Sequence, residues 1–292
     1  MYYICIENGR DGFGYQLYHQ IYSIILAKKF KINYCYRPMG RIGHNYENNS
    51  SYEDDLNKFT NLEKMFTQPY IDKTIHIRDI NQIQKIIESN EAKDINILIF
   101  VRKLSNRMYC FQKLFWKYRE KHLMPVIDNF LKDKENPFQN NKINISIHIR
   151  SGDILMDKKR IDYSRFTPDS YYIKLCKFLH HKFKNKEYLI HLFFESKSNL
   201  GFGDTNIHKI NDSIFDIKNL IDKNVILHEN GDLKKDFLMM VFADYLFVAK
   251  SSFSVMASFF NKNKSYAFND FHQGDFGGFK DIQIINPEHI NL

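Results

Sequence analysis

Hydrophobic and polar positions divide the chain into two stretches with different rhythms. Near the N-terminus an apolar run, Tyr2 to Glu7, predicts a buried strand, and the glycine-containing turn "NGRDGFG" follows it. Leu17, Ile21, Ile24, Ile25 and Phe30 then recur at helical spacing, and "INYCY" predicts a second strand. The polar stretch Arg37 to Lys58, rich in Asn, Gly and Asp, reads as a long loop of the kind that often carries function. Residues 60 to 132 read as mostly helical, with one strand near "INILIFV".

A charged, Asn-rich segment interrupted by Pro137, "KDKENPFQNNK", marks a boundary, and strands and helices alternate beyond it. The strands are "INISIHI", "YLIHLFF", "NVIL", "YLFVA" and "SYAF"; the helices cover "PDSYYIKLCKFLHHKF", "SIFDIKNLI", "GDLKKDFLMMVF" and the stretch from "SSFSVMASFF". Strands joined by crossover helices predict a parallel sheet covered on both faces, with ligands at the carboxyl ends of the strands. The first half has a weaker version of this rhythm. The expected fold class is therefore α/β with two facing Rossmann-type domains, one over residues 1–135 and one over 136–292. The C-terminal tail is expected either to remain there or to return to the first domain.

Composition narrows the function classes. The 292 residues are 43% hydrophobic and 15% aromatic, so a sizeable core is expected and disorder is excluded. Four scattered cysteines, Cys5, Cys35, Cys110 and Cys176, have no CxxC spacing and read as buried thiols of a reducing compartment. No apolar run is long enough to span a membrane and no signal segment opens the chain, so a cytoplasmic protein with no integral membrane segment is expected. The net charge of +8 comes from lysines mixed with Asn and Ile throughout, without a basic block, so nucleic acid is not the expected partner.

Two constellations carry candidate chemistry. In "ISIHIRSGD" the alternation places Ile145, Ile147 and Ile149 on one face and Ser146, His148 and Arg150 on the other, so a histidine and an arginine arrive at the ligand edge. The Arg150 fork suits a phosphate, Gly152 permits close backbone approach, and Asp153 can orient Arg150 or His148 or contact ligand hydroxyls. A plain strand end closed by an Arg–Asp pair is the alternative. In "YLFVAKSSFS" a strand delivers Ser251, Ser252 and Ser254 to a helix start, where hydroxyls and N–H groups can hold an anion; simple N-capping explains one of them.

These blocks bring a family resemblance. "SIHIRSGD" resembles the HxRRxD-type motif of the α1,2-, α1,6- and protein O-fucosyltransferases. "HENGDLKKDFLMMVFADYLFVAKSSFSVMASFFN" resembles the donor-binding block of the α1,2-fucosyltransferases (the GT11 type), and "GRDGFGYQLYHQIYSIILAKKF" their glycine-rich turn and first helix. The resemblance implies a GT-B-like fold, with residues 1–135 as the acceptor-side domain and 136–292 as the nucleotide-sugar (donor) domain, and a metal-independent, inverting transfer of fucose from GDP-fucose to a glycan hydroxyl, with no cofactor. By this resemblance Arg150 binds the donor diphosphate and His148 and Asp153 shape the site. It also makes Asp236 the guanine reader, gives Ser251 and Ser252 phosphate contacts with Ser254 in the same turn, and places Gly12 and Gly14 in the N-terminal turn. The family's second arginine is Ser151 here, its turn asparagine is Tyr15, and "FFESKS" stands where an acidic strand ending is common. A GDP-sugar- or carbohydrate-binding protein with impaired turnover is therefore the second reading.

For the base that takes the acceptor proton, Asp11 is the first candidate, with an ordinary turn residue as its alternative; His19 and Glu7 follow. Trp116, Phe111, Phe115 and Tyr118 form an aromatic stripe at helical spacing, either core or a sugar platform. Acceptor identity, linkage and oligomeric state are not readable from the sequence.

Overall fold

The computed structural model describes residues 1–7, 11–42, 49–102, 118–151, 167–195, 224–268 and 282–285. Two compact units divide the chain, Met1–Lys134 and Glu135–Leu292. Each is an α/β unit built on a parallel sheet.

In the first unit β1 (Tyr2–Ile6), β2 (Asn33–Tyr34), β3 (Lys73–Ile77) and β4 (Ile97–Val101) lie in the order β2-β1-β4-β3. Helix α1 (Phe13–Phe30) packs on β1 and is buried without a break from Gln16 to Ala27. A helix buried all round must satisfy its polar residues, and the four-residue repeat does this in pairs. Gln16 and Gln20 hold the following loop: Gln16 Nε2 donates to Arg41 O (3.1 Å), Gly40 N donates to Gln16 Oε1 (2.9 Å), and Gln20 Nε2 donates to Arg37 O (2.8 Å). His19 and Ser23 hold the end of β1: His19 Nδ1 lies 2.9 Å from Glu7 O, and Ile6 N donates to Ser23 Oγ (3.0 Å). Lys31 then ends α1 in the left-handed region, at φ 55°.

The structure corrects the reading of Arg37 to Lys58 as loop throughout. Helix α2 (Tyr52–Thr60) occupies its end, with Glu53, Asp54 and Asp55 in the first turn. These acids made the segment look like loop, yet at a helix N-terminus they complement the dipole. The expected mostly helical stretch also holds β3, an edge strand whose exposed residues mask its alternation, besides α3 (Gln82–Glu88), a π-turn (Arg119–Leu123) and α4 (Met124–Leu131).

In the second unit β5 (Ile143–His148), β6 (Tyr188–Phe194), β7 (Val225–Glu229), β8 (Tyr245–Phe247), β9 (Lys264–Phe268) and β10 (Ile282–Ile285) form a parallel sheet in the order β10-β9-β8-β5-β6-β7. Counted from β5, this is the doubly wound order 6-5-4-1-2-3. Sequence reading did not find β10, which pairs with β9. One face buries Ile145, Ile147, Ile190, Leu192 and Val225 against α5 (Asp169–Phe183), whose Tyr172, Leu175, Cys176 and Leu179 face them. On the other face Ser146 Oγ donates to Met239 O (3.1 Å), tying α6 (Leu233–Phe242) to β5. Helix α7 (Ser252–Phe260) packs on α6. The described cysteines, Cys5, Cys35 and Cys176, are free and buried. Among the described residues no helix is long and apolar enough to cross a membrane.

Candidate functional site

The winding of the strand order reverses between β5 and β8. From β5 the chain winds outward to β6 and β7, then returns beside β5 and winds the other way to β9 and β10. Ligands of doubly wound sheets bind at this switch point, beyond the carboxyl ends of the strands. The two strands part there. They pair from Ile145↔Tyr245 to Ile147↔Phe247; beyond that Ile149 N donates to Phe193 O on β6 and Val248 N to Tyr266 O on β9, both at 2.9 Å.

His148 and Ser254 span the opening, with His148 Nδ1 2.9 Å from Ser254 Oγ. Ser254 is fully buried and knotted into the turn: Ala249 N donates to its Oγ (3.1 Å), and Ala249 O and Ser251 O both lie 3.4 Å away. The contact pairs one hydroxyl with one ring nitrogen, and the imidazole tautomer sets which of the two donates. Burial first, and the Arg150 charge second, push the His148 pKa down to about 3. Phe253 packs against the ring at 5.8 Å between centroids.

Ser251 caps α7, its Oγ accepting from Phe253 N at 3.3 Å, while Ser252 opens the helix half-buried. Arg150 follows β5 in a half-buried position. Ser151 is only 3% exposed and turns away from the switch point: its Oγ donates to Glu195 O (2.8 Å) and accepts from Glu195 N (3.0 Å). Lys250, at the end of β8, is 5% exposed, which is rare for a lysine. Sequence reading passed over Lys250, although a cation between a strand and a serine-rich helix start was the available signal.

Asp236 lies in the first turn of α6. The Asp232 side chain caps this helix, accepting from Lys235 N at 2.8 Å. Burial, then the neighbouring Asp232 charge, push the Asp236 pKa up to about 7. Gly231 makes room for the carboxyl, since a Cβ there would sit 2.6 Å from Asp236 Oδ2. Next to this turn, His228 Nε2 lies 3.0 Å from His191 Nδ1, and His191 Nε2 lies 3.3 Å from Asn144 Oδ1.

In the first unit Asp11 is exposed, and its Oδ1 accepts from Gly12 N at 2.7 Å. Gly12 is the N-cap of α1 and Gly14 is buried in its first turn. His19, one of the weaker candidates for the base, lies on α1. It is 3% exposed, and burial pushes its pKa down to about 4. Gln16, overlooked in the sequence, is the residue that fastens this turn to the next loop. Asp153, Gly152, Cys110, Trp116, Phe111, Phe115, the segment 213–221 and the end of "FFESKS" lie outside the described residues.

No family model and no curated protein matches the chain in sequence. Among solved structures, one of POFUT1 in complex with GDP aligns at TM-score 0.47 and 11% identity, covering 91% of this chain and 98% of that one. A second GDP complex gives 0.42 and 10%, covering 90% and 94%, and a GDP-fucose complex gives 0.39 and 12%, covering 90% and 95%. Likeness at this level does not establish an activity.

Proposed function

We propose that the chain is a metal-independent, inverting glycosyltransferase of the α1,2-fucosyltransferase-like kind, GT-B-like in arrangement, transferring fucose from GDP-fucose to a glycan hydroxyl. The observation that carries this reading is the His148–Ser254 bridge at the switch point, with Arg150 on one side and the start of α7 on the other. An inverting transfer leaves negative charge on the departing diphosphate. Preorganised cations and N–H dipoles in a partly dry crevice lower that barrier. Arg150 supplies the charge and the Ser251–Ser252 helix start the dipoles. With its proton on Nε2, His148 adds a donor whose direction the Ser254 contact fixes. Asp153, close after Arg150 in the sequence, is a further donor contact in this reading.

Asp236 reads guanine in this proposal, accepting from N1–H and the exocyclic amine. Only the ionised carboxylate can accept both bonds. Gly12 and Gly14 shape the N-terminal turn, and Asp11, exposed after β1, is the candidate base for the acceptor hydroxyl.

The test is GDP release from GDP-fucose with a panel of glycans, with and without EDTA. Activity that survives EDTA and is lost in Arg150→Ala is expected. Selective GDP binding without turnover on any acceptor would instead favour the impaired binding protein.

A further inference from the structure

A cationic cluster on the first unit is not among the residues assigned to the donor. Cys5, Phe100 and His76 are in-register neighbours across β1, β4 and β3, so they share one face near the carboxyl ends of these strands. Phe100 is buried at 7% exposure and forms a floor. The Arg37 guanidinium lies over its ring, 4.7 Å from the centroid, with its charge close enough to the Cys5 thiol to favour the thiolate. On the other side His76 meets the ring edge-on at 5.2 Å, and Arg102 Nε donates to His76 Nδ1 at 3.1 Å. That bond leaves the outward His76 Nε2 as a donor.

Arg37, His76 and Arg102 are all exposed, and among the described residues no carboxylate forms an ion pair with either arginine. Glu7 follows β1 half-buried, and Asp79 Oδ1 is engaged by Asn81 N at 2.9 Å. Two planar forks set on one face by an aromatic floor and a histidine, with no ion-paired carboxylate among the described residues, suit an oxyanion in charge and donor type. The cluster lies at the carboxyl-end edge of the sheet, where parallel sheets bind ligands.

We propose that Arg37, His76 and Arg102 bind an oxyanion carried by the acceptor, so that the acceptor is an anionic saccharide bearing carboxylate, sulfate or phosphate. This rests on the reading of the chain as a glycosyltransferase. Calorimetric titration of the whole chain tests it, using a glucuronate-containing tetrasaccharide, its sulfated form and the neutral chitotetraose, with GDP titrated in parallel. The anionic probes are expected to bind at least tenfold more tightly than chitotetraose and to weaken with salt. Arg37→Gln and Arg102→Gln should each remove most of that preference while GDP affinity and the melting curve stay unchanged. Preference for the sulfated over the carboxylate form identifies the oxyanion. Equal binding of neutral and anionic probes overturns the inference, as does preference retained in both variants. So does single-stranded DNA binding that depends on both arginines without saccharide selectivity. Loss of GDP binding in the wild type would overturn the donor reading and leave the saccharide result to be judged separately.

Discussion

His148 and Ser254, 106 positions apart, meet at 2.9 Å across the strands that part at the switch point. The serine hydroxyl also receives the Ala249 N–H, so one buried atom fixes both the imidazole and the turn that starts α7. Ser254→Ala leaves two buried groups without their partner. We expect a loss of about 1–3 kcal/mol in urea unfolding. GDP binding should weaken as well, because the ring loses its fixed orientation. Unchanged GDP affinity in a folded Ser254→Ala protein would remove His148 from the donor site.

Ser151 stands where the resembled family has a second arginine, but its hydroxyl bonds both main-chain groups of Glu195 and closes β5 onto β6. Ser151→Arg should therefore lower stability by about 1–3 kcal/mol from overpacking alone, and should not raise activity. A thermal melt paired with the GDP-release assay checks both. Higher turnover would mean that the position does reach the donor.

The Asp236 carboxyl, raised to about 7, predicts the pH dependence of nucleotide binding. If the ionised form reads guanine, GDP affinity should fall about tenfold between pH 8 and pH 6 as the group takes up its proton. For stability the sign is opposite. The raised pKa stabilises the fold below the ordinary carboxylate range and this is lost as pH rises through 7. Asp236→Asn should flatten the GDP profile and gain thermal stability relative to wild type at pH 8 and above.

Gly231→Ala probes the same carboxyl by shape. Its Cβ would lie 2.6 Å from Oδ2, so the carboxyl must move. A folded variant with weakened GDP binding is expected in isothermal titration; normal binding would separate Asp236 from the nucleotide.

Acid sensitivity should come from histidines. His148 and His191 are pushed down to about 3, and His19 and His228 to about 4, in each case chiefly by burial. Each folded pKa lies below the unfolded value near 6.5. Stability is therefore full above that pH and falls as pH drops toward the folded pKa values, by up to about 1.4 kcal/mol per pH unit per histidine. Urea midpoints at pH 7, 6 and 5 should decline, and less steeply in His191→Asn. Equal slopes in the two proteins would contradict the assignment for His191.

What the sequence revealed followed from local periodicity. The alternation that put Ile145, Ile147 and Ile149 on one face is seen in the core against α5, and it set His148 at a strand end. Its partner came from a distant turn that no local pattern links to it. Ser254 was read as a ligand contact, because a serine at a helix start has the same local signature whether it meets an anion or a buried histidine. Gln16 and Gln20 looked like ordinary helix residues, since only burial shows that they carry the loop from Arg37 to Arg41. The acidic start of α2 was taken for loop because polarity was weighed without the dipole it complements.

The central claim is a guanosine-diphosphate site at the switch point beside Arg150. The most direct measurement is the thermal shift of wild type and Arg150→Ala with GDP, UDP, ADP and CDP at pH 8, since a ligand that binds only the folded state raises the midpoint. The account predicts a selective rise with GDP that Arg150→Ala abolishes. Equal shifts with all four nucleotides, no shift with GDP, or an undiminished GDP shift in Arg150→Ala would contradict it.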